Sequence, residues 1–378
     1  MTGTTTAPRP GPAERVLAGA VRRTKRLLLR FVMQPTLRLE DELARRPDVV
    51  HASPGAPRRI EIVAESMKVE GLHRPVPGFP RSMPYVLSCA RDINASLREV
   101  KDGPAAGRVS MDDAARAGLE AFMRSLGIDA FGYTRVPPRL IFEGKAVLHA
   151  NAIVLLMEMD RQRLDTAPSP DAAVMVLETY SQLGIAANRV ARYLRRRGYS
   201  AQAGHPLGGL ALYPPLAEAA GLGRQGMHGL LITPRFGPRV RLATVFTSIE
   251  DLPDTASDEH AWIDDFCRAC AKCVRRCPPA AIRSEPLRFD SGRASCVDAD
   301  RCLPYFVRHN GCSICVAVCP FHQRDYGWLH DRWTCHGRHT DALRADPPAG
   351  FPEHLRQPSA RQAAAGEEGS SHGADIVR

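Results

Sequence analysis

Nowhere in this chain do about 18 apolar residues run together, so no segment reads as a membrane-spanning helix. A secretory leader is not legible either. Arg22-Arg23 precede Leu27-Leu28-Leu29, but Arg30, Gln34, Arg38 and Glu40 interrupt the apolar stretch, and no small-residue cleavage site stands out. Aromatic residues make up only 6% of the chain, and few stand among basic runs such as Arg195-Arg196-Arg197. That argues against a nucleic-acid-binding module; three arginines together suit the end of a solvated helix, where cations favour the helix dipole. No internal repeat is visible apart from two cysteine runs. The expectation from these absences is a cytoplasmic protein.

At 378 residues the chain exceeds one typical domain of ~100–200 residues. Its net charge of +10 is uneven: through residue 46 there are ten Arg and Lys against four acids. Within that stretch Glu14–Val32 has the pattern of a basic amphipathic helix, suited to peripheral contact with an anionic membrane surface or to docking on the protein's own body. Residues 1–10 and about 345–378 are rich in Ala, Pro, Gly and Ser and read as disordered tails.

What the chain has in abundance is clustered cysteine. Nine of its 11 cysteines lie between Cys267 and Cys319. The first run is Cys267-Arg-Ala-Cys270-Ala-Lys-Cys273-Val-Arg-Arg-Cys277-Pro278, and the second ends Cys312-Ser-Ile-Cys315-Val-Ala-Val-Cys319-Pro320. Three thiolates at C-x2-C-x2-C fit around one face of a 4Fe-4S cubane, and the cysteine before proline ligates the other cluster of a pair. Two cysteines, Cys302 and Cys296, are candidates for the missing ligand of the second run; Cys302 leaves a nine-residue loop that can fold back over the cluster. With Cys302 the expected partition is Cys267, Cys270, Cys273 and Cys319 on one cluster, and Cys277, Cys302, Cys312 and Cys315 on the other. Zinc is the plainer alternative, since C-x2-C pairs also build tetrahedral zinc sites, but a zinc ribbon has no use for a crossed Cys-Pro ending that occurs twice. Cys89 reads as a buried thiol. The chain therefore moves electrons, and needs a donor such as a ferredoxin or flavodoxin.

Upstream of the cysteines, helix and strand signals alternate. Ser110-Met111-Asp112-Asp113 reads as a capping box opening a helix with Leu119, Phe122 and Met123 on its apolar side and Gly127 as the stop. Strands are expected over 129–134 and 146–158, the second buried on both faces. A long helix starts at Ser169-Pro170 and runs to about Gly198, with Val176, Tyr180, Leu183, Ala187, Val190 and Leu194 along one stripe. Strands Gly229–Ile232 and Val240–Thr247 flank a turn at 233–238. The fold class is α+β followed by a cluster domain, divided as 1–59, 60–258, 259–340 and 341–378.

These motifs resemble the corrinoid-dependent reductive dehalogenases and, more distantly, the epoxyqueuosine reductases. The resemblance is carried by Phe266-Cys267 through Cys277-Pro278, by Asp300-Arg301-Cys302-Leu303-Pro304-Tyr305, and by Gly311-Cys312 with Cys319-Pro320-Phe321. Weaker matches, in the right order, are Tyr180-Ser181-Gln182, Ala220-Gly221-Leu222-Gly223 and Phe236-Gly237-Pro238-Arg239-Val240-Arg241. It implies a nitroreductase-like corrinoid domain followed by a two-cluster, bacterial-ferredoxin-like domain, and it selects Cys302 over Cys296. It also implies a proton-donating tyrosine at Tyr180, poised by Arg239 or Arg241; a cation beside a phenol favours its ionised form. The alternative for Tyr180 is a core tyrosine with a satisfied hydroxyl. Gly208, Gly209, Gly221 and Gly223 are the positions where backbone could approach a large cofactor such as cobalamin. No Asp-x-His-x-x-Gly element is present, so a corrinoid would bind without a protein histidine on cobalt; His205 and His228 are nearby polar groups. The implied function is electron delivery through two clusters to a corrinoid for reduction of a small-molecule substrate. The alternative is a ferredoxin-type electron-transfer protein or a redox-complex subunit without corrinoid.

Overall fold

The computed structural model describes residues 34–59, 79–101, 106–289 and 293–335, with four isolated positions before residue 34. Both tails, and all but those four positions of the basic helix expected over Glu14–Val32, lie outside the described residues. Among the described residues no helix is long and apolar enough to cross a membrane.

In chain order the first part comprises α1 (Gln34–Leu43), β1 (Val50–His51), α2 (Phe79–Lys101), α3 (Asp113–Ser125), β2 (Ala130–Arg135), β3 (Ala146–Val147), β4 (Asn151–Glu158), α4 (Arg161–Leu164) and α5 (Pro170–Arg195). It continues through β5 (Ala201–Gly204), α6 (Tyr213–Ala219), β6 (Arg224–Gln225), β7 (Leu231–Ile232) and β8 (Val240–Thr247). The cysteine-bearing part follows as α7 (Trp262–Cys270), α8 (Lys272–Arg275), β9 (Ile282–Arg288), β10 (Ala294–Val297), α9 (Ala299–Arg308), α10 (Ile314–Ala317), α11 (Pro320–Gln323) and α12 (Tyr326–Cys335).

The central sheet is antiparallel with strand order β2-β4-β8-β5. β4 sits inside it, and because successive side chains point to opposite faces, its two sets of apolar residues enter two cores. Ile153 and Leu155 pack with Leu119 and Met123 of α3 and with Leu183, Val190 and Leu194 of α5. Ala152, Val154 and Leu156 pack with Leu43 of α1, Ile93 and Leu97 of α2, and Leu216 of α6. Burial of β4 on both faces, expected from its apolar run, is what the sheet shows, although the run breaks into β3 and β4.

Two sequence expectations are corrected. The cap of α3 is Asp112, whose side chain accepts the Ala115 N–H at 2.7 Å; Ser110 instead donates to Asp251. Both strands expected to flank the 233–238 turn are present, the first as the shorter Leu231–Ile232; β7 pairs β6 and β8 enters the central sheet. Residues 34–59, grouped by composition with the basic N-terminal segment, are part of the α+β body, since β1 pairs β3 and Glu40 of α1 is buried in an ion pair with Arg59. The long helix matches its reading, with Ser169 accepting the Ala172 N–H at 3.1 Å as its cap.

The two parts meet through close backbone contact. A Cβ at Gly237 would lie 2.1 Å from the Phe321 carbonyl oxygen, so only glycine lets the β7–β8 turn seat against the segment after Cys319. His322 is buried there, its Nε2 2.6 Å from Asp165 Oδ1, and Arg224 makes a two-pronged bond to Asp264 of α7 at 3.0 and 2.7 Å.

Candidate functional site: paired thiol sets beside a large cavity

Local backbone shape gathers the cysteines. Ala271, between Cys270 and Cys273, takes φ +42°, and the second run passes through four left-handed residues: Asn310 (+50°), Gly311 (+76°), Cys312 (+42°) and Ser313 (+63°). Left-handed geometry is unfavourable for residues with a Cβ, so these turns persist only because the surrounding fold holds them.

The thiols sense each other in two sets. Cys319 is raised well above the usual thiol range by burial and then by Cys267, Cys273 and Cys270. Cys315 is raised by burial and then by Cys312, Cys273, Cys302 and Cys277. Burial pushes Cys273 up to about 12 and Cys312 to about 11. Cys302 feels Cys277, whereas Cys296 feels only Glu285. The electrostatic neighbours thus fall into two overlapping sets that share Cys273, and Cys296 packs beside the second of them, with Cys273, Cys302 and Cys315 around Cys277, Ala281 and Ile282. Several sulfurs accept N–H groups: Cys277 from Ala281 at 3.2 Å, and Cys267, Cys312 and Cys319 from Met227, Ile314 and Phe321. Such bonds tune a cluster's potential.

Among the described residues no three His, Cys, Asp or Glu side chains converge closely enough to hold one metal ion. Thiolates on a single zinc lie about 2.3 Å from it.

The Cys267 set is wrapped in aromatic rings. Cys270 and Cys319 pack with Ile263, Phe266, Phe321 and Trp333, and Trp262 and Tyr326 complete the wall. On the other side, Cys315 and Val176 both pack against the cluster of Met159, Leu164, Met175 and Val316.

Val176 belongs to the wall of a cavity of about 1390 Å³ between the two parts, larger than the ~300–1,000 Å³ typical of small-ligand pockets. From the α+β body it is lined by α1, α2, Tyr180, Arg241 and the 206–214 loop; from the cysteine-bearing part, by β9, β10 and α9, including Leu303 and Phe306 on either side of Tyr305. α9 carries Cys302, so the Cys277/Cys302/Cys312/Cys315 set is the one next to the cavity.

Tyr180 and Arg241 meet at this wall. The Arg241 guanidinium carbon lies 4.7 Å from the Tyr180 ring centroid, and its Nε is buried with no hydrogen-bond partner. Arg239 does not join them: its Nε donates to Glu158 at 2.8 Å and its other end faces the His322 carbonyl. The stripe on α5 divides, with Leu183 to Leu194 in the core and Val176 and Tyr180 on the cavity. Tyr180 is thus no core tyrosine.

The four glycines separate likewise. Gly208 and Gly209 line the cavity, and a Cβ on Gly209 would strike the Tyr213 ring at 2.6 Å. Gly221 and Gly223 do not line it: a Cβ there would meet the Thr255 carbonyl at 1.9 Å and the Ile232 carbonyl at 2.1 Å, so they serve close packing of the chain on itself. His205 also faces away, its Nε2 pressed on Gly184 of α5, and among the described residues no histidine lines the cavity. Composition and spacing could not reveal Glu40, Arg59, Arg293 or Asn310 as part of this wall, because they come from four distant stretches.

Comparison with protein-family models gives no match. Among curated proteins the chain is 35% identical over 224 residues to the tetrachloroethene reductive dehalogenase of Desulfitobacterium hafniense, covering 54% of this chain and 38% of that protein. It is 35% identical over 190 residues to the tetrachloroethene reductive dehalogenase of Sulfurospirillum multivorans, covering 48% and 37%. It is 32% identical over 149 residues to the epoxyqueuosine reductase of Gloeobacter violaceus, covering 35% and 40%. The matches span well under half of the curated reductive dehalogenases.

Among solved structures, a catabolic reductive dehalogenase in complex with 3-bromo-4-hydroxybenzoic acid superposes with a TM-score of 0.59 at 21% identity, over 79% of this chain and 47% of that one. A reductive dehalogenase whose structure suggests a mechanism for B12-dependent dehalogenation matches with a TM-score of 0.59 at 20% identity, over 79% and 48%. The mixed α/β fold is therefore that of reductive dehalogenases. The chain is similar to reductive dehalogenases and epoxyqueuosine reductases, both oxidoreductases, as its own residues suggested.

Proposed function

We propose that the protein is a reductase that carries two 4Fe-4S clusters in a ferredoxin-like part and a corrinoid in the cavity of a nitroreductase-like part, and that it reduces a small organic molecule, with organohalides the favoured class. The observation that carries this reading is the cavity itself: one wall is Tyr180 with Arg241, and the facing wall is the helix that bears Cys302. When bound, the clusters would supply single electrons and the corrinoid the reducing centre for breaking a bond such as carbon–halogen.

Cys267, Cys270, Cys273 and Cys319 would hold the cluster farther from the cavity, and Cys277, Cys302, Cys312 and Cys315 the nearer one. The aromatic wall around the first set excludes water from it. Gly208 and Gly209 leave room at the cavity wall, and the orphaned Arg241 Nε offers a donor there. The Tyr180 hydroxyl gives its proton to the carbon from which the leaving group departs. Arg241, stacked over the ring, stabilises the phenolate oxygen left behind. The reductant is a ferredoxin or flavodoxin in a cytoplasmic setting.

The test is turnover. Cobalamin-loaded protein with reduced methyl viologen should consume electrons when given a halogenated phenol or alkene and release halide. Viologen oxidation at the same rate without organohalide would contradict the reading.

A further inference from the structure

We propose that the cysteine-bearing side of the cavity forms a carboxamide-binding site, in which Arg293 and Asn310 grip the peripheral amide groups of the corrinoid. The proposal rests on the corrinoid reading above.

Among the described residues, three that line the cavity have a buried polar atom with no hydrogen-bond partner: Arg241 Nε, Arg293 Nε and Asn310 Oδ1. A buried polar group without a partner is costly, and native folds leave few of them. Arg241 stands on the α+β wall beside Tyr180. The other two stand on the opposite wall, Arg293 at the start of β10 and Asn310 just after α9. Their side chains are chemically opposite: a guanidinium only donates, and the Asn310 Oδ1 only accepts. A halogenated hydrocarbon satisfies neither. A primary amide can satisfy either, its carbonyl accepting from Arg293 or its N–H donating to Asn310, and a corrin ring carries several such amides around its edge.

Neighbouring groups do not supply the missing partners. Asp298 also lines the cavity, but it is engaged by Arg283 at 3.1 Å and by the Arg301 N–H at the start of α9. Phe289 packs its ring 4.0 Å from the Arg293 guanidinium carbon, which orients the donor without satisfying it. Asn310 begins the left-handed turn that ends at Ser313, and asparagine tolerates that geometry better than most side chains. A ligand held by Asn310 is therefore tied, two residues on, to Cys312 of the nearer thiol set. The site would fix the distance between ligand and cluster as well as add affinity.

The experiment uses full-length protein with its clusters reconstituted without oxygen, titrated by visible absorption with two corrinoids. One is hydroxocobalamin; the other is cobyrinic acid heptamethyl ester, whose side chains accept hydrogen bonds but cannot donate them. The variants are Arg293→Met, which keeps the stem on Phe289, and Asn310→Gly, which suits the left-handed backbone. Each loss should weaken hydroxocobalamin binding roughly three- to tenfold, with iron content and cluster spectra unchanged. Arg293→Met should weaken both corrinoids. Asn310→Gly should weaken hydroxocobalamin alone, and Asn310→Asp, which keeps the acceptor, should restore it.

Unchanged hydroxocobalamin affinity in both variants would overturn the site. So would equal loss of both corrinoids in Asn310→Gly, which marks general disruption. Failure of unaltered protein to bind either corrinoid would remove the corrinoid reading, and this proposal with it.

Discussion

The guanidinium of Arg241 lies over the ring of Tyr180, 4.7 Å from its centroid, while Arg239 two residues earlier is turned away to Glu158. Sequence alone offered either arginine as the partner of the tyrosine. The strand decides: Arg239 precedes β8 and reaches toward the end of β4, and Arg241 reaches the cavity. Replacing Tyr180 by Phe keeps the ring under the guanidinium and removes only the hydroxyl. Reductive turnover should fall by about 10²–10⁴-fold, the usual worth of a positioned general acid, with iron and cobalt content unchanged. Full turnover in Tyr180→Phe would take Tyr180 out of the chemistry.

Cys302 and Cys296 are six residues apart, and only Cys302 shares the electrostatic environment of Cys277 and Cys312. Cys302→Ala should cost the protein about half of its iron, since it removes one of four ligands from one of two clusters. Cys296→Ala should retain all of it. Iron and sulfide analysis of the two variants checks this, and the reverse result would reassign the ligand.

Glu40 has 1% of its side chain exposed and meets two cations, Arg59 at 2.7 Å and Lys145 at 2.9 Å. Arg59 also donates to the Gly208 and Gly209 carbonyls, so this buried network ties α1 to the cavity loop. Glu40→Gln takes away the buried carboxylate that Arg59 and Lys145 share, while Lys145 keeps Asp41 at 3.4 Å, and should destabilise the fold by about 3–5 kcal/mol. Chemical unfolding followed by far-UV circular dichroism measures it; a change under about 1 kcal/mol would mean the cations relax into solvent.

His205 is buried, and burial lowers its pKa from 6.5 to about 4. Between those values the unfolded chain binds a proton that the native state refuses, so stability rises with pH across the window. Its contribution is complete above about pH 6.5 and is lost as pH falls toward 4. His205→Asn keeps an acceptor for the Leu207 N–H, which now bonds Nδ1 at 3.2 Å, and cannot titrate in this range. The variant should lose roughly 2 kcal/mol less than unaltered protein between pH 7 and pH 5. Equal losses, measured by urea unfolding at both pH values, would show that His205 charges without unfolding the site.

The two cysteine runs were legible because motif spacing is local, carried by a few residues and backbone turns within each run. The long helix and the doubly buried strand were legible for a related reason, since periodicity and apolar run length survive in the linear chain. α2 escaped notice: its Pro84 sits inside the helix and masks an otherwise helical pattern. The Gly221 and Gly223 readings failed because a glycine needed for close approach looks the same whether the approaching group is a cofactor or another strand. The cavity could not be read at all. Its wall draws on residues from Thr36 to Gly311, and the orphaned atoms of Arg293 and Asn310 exist as orphans only once every neighbour is placed.

What the two thiol sets and the cavity hold decides between a corrinoid reductase and an electron carrier. The direct measurement is the iron and cobalt content of protein purified without oxygen from cells supplied with cobalamin. About eight irons and one cobalt per chain, the count for two cubanes and a corrinoid, is the predicted result. Eight irons with no cobalt, persisting after attempted reconstitution, would contradict it and leave an electron-transfer protein whose Tyr180 and Arg241 line a cavity used for something else.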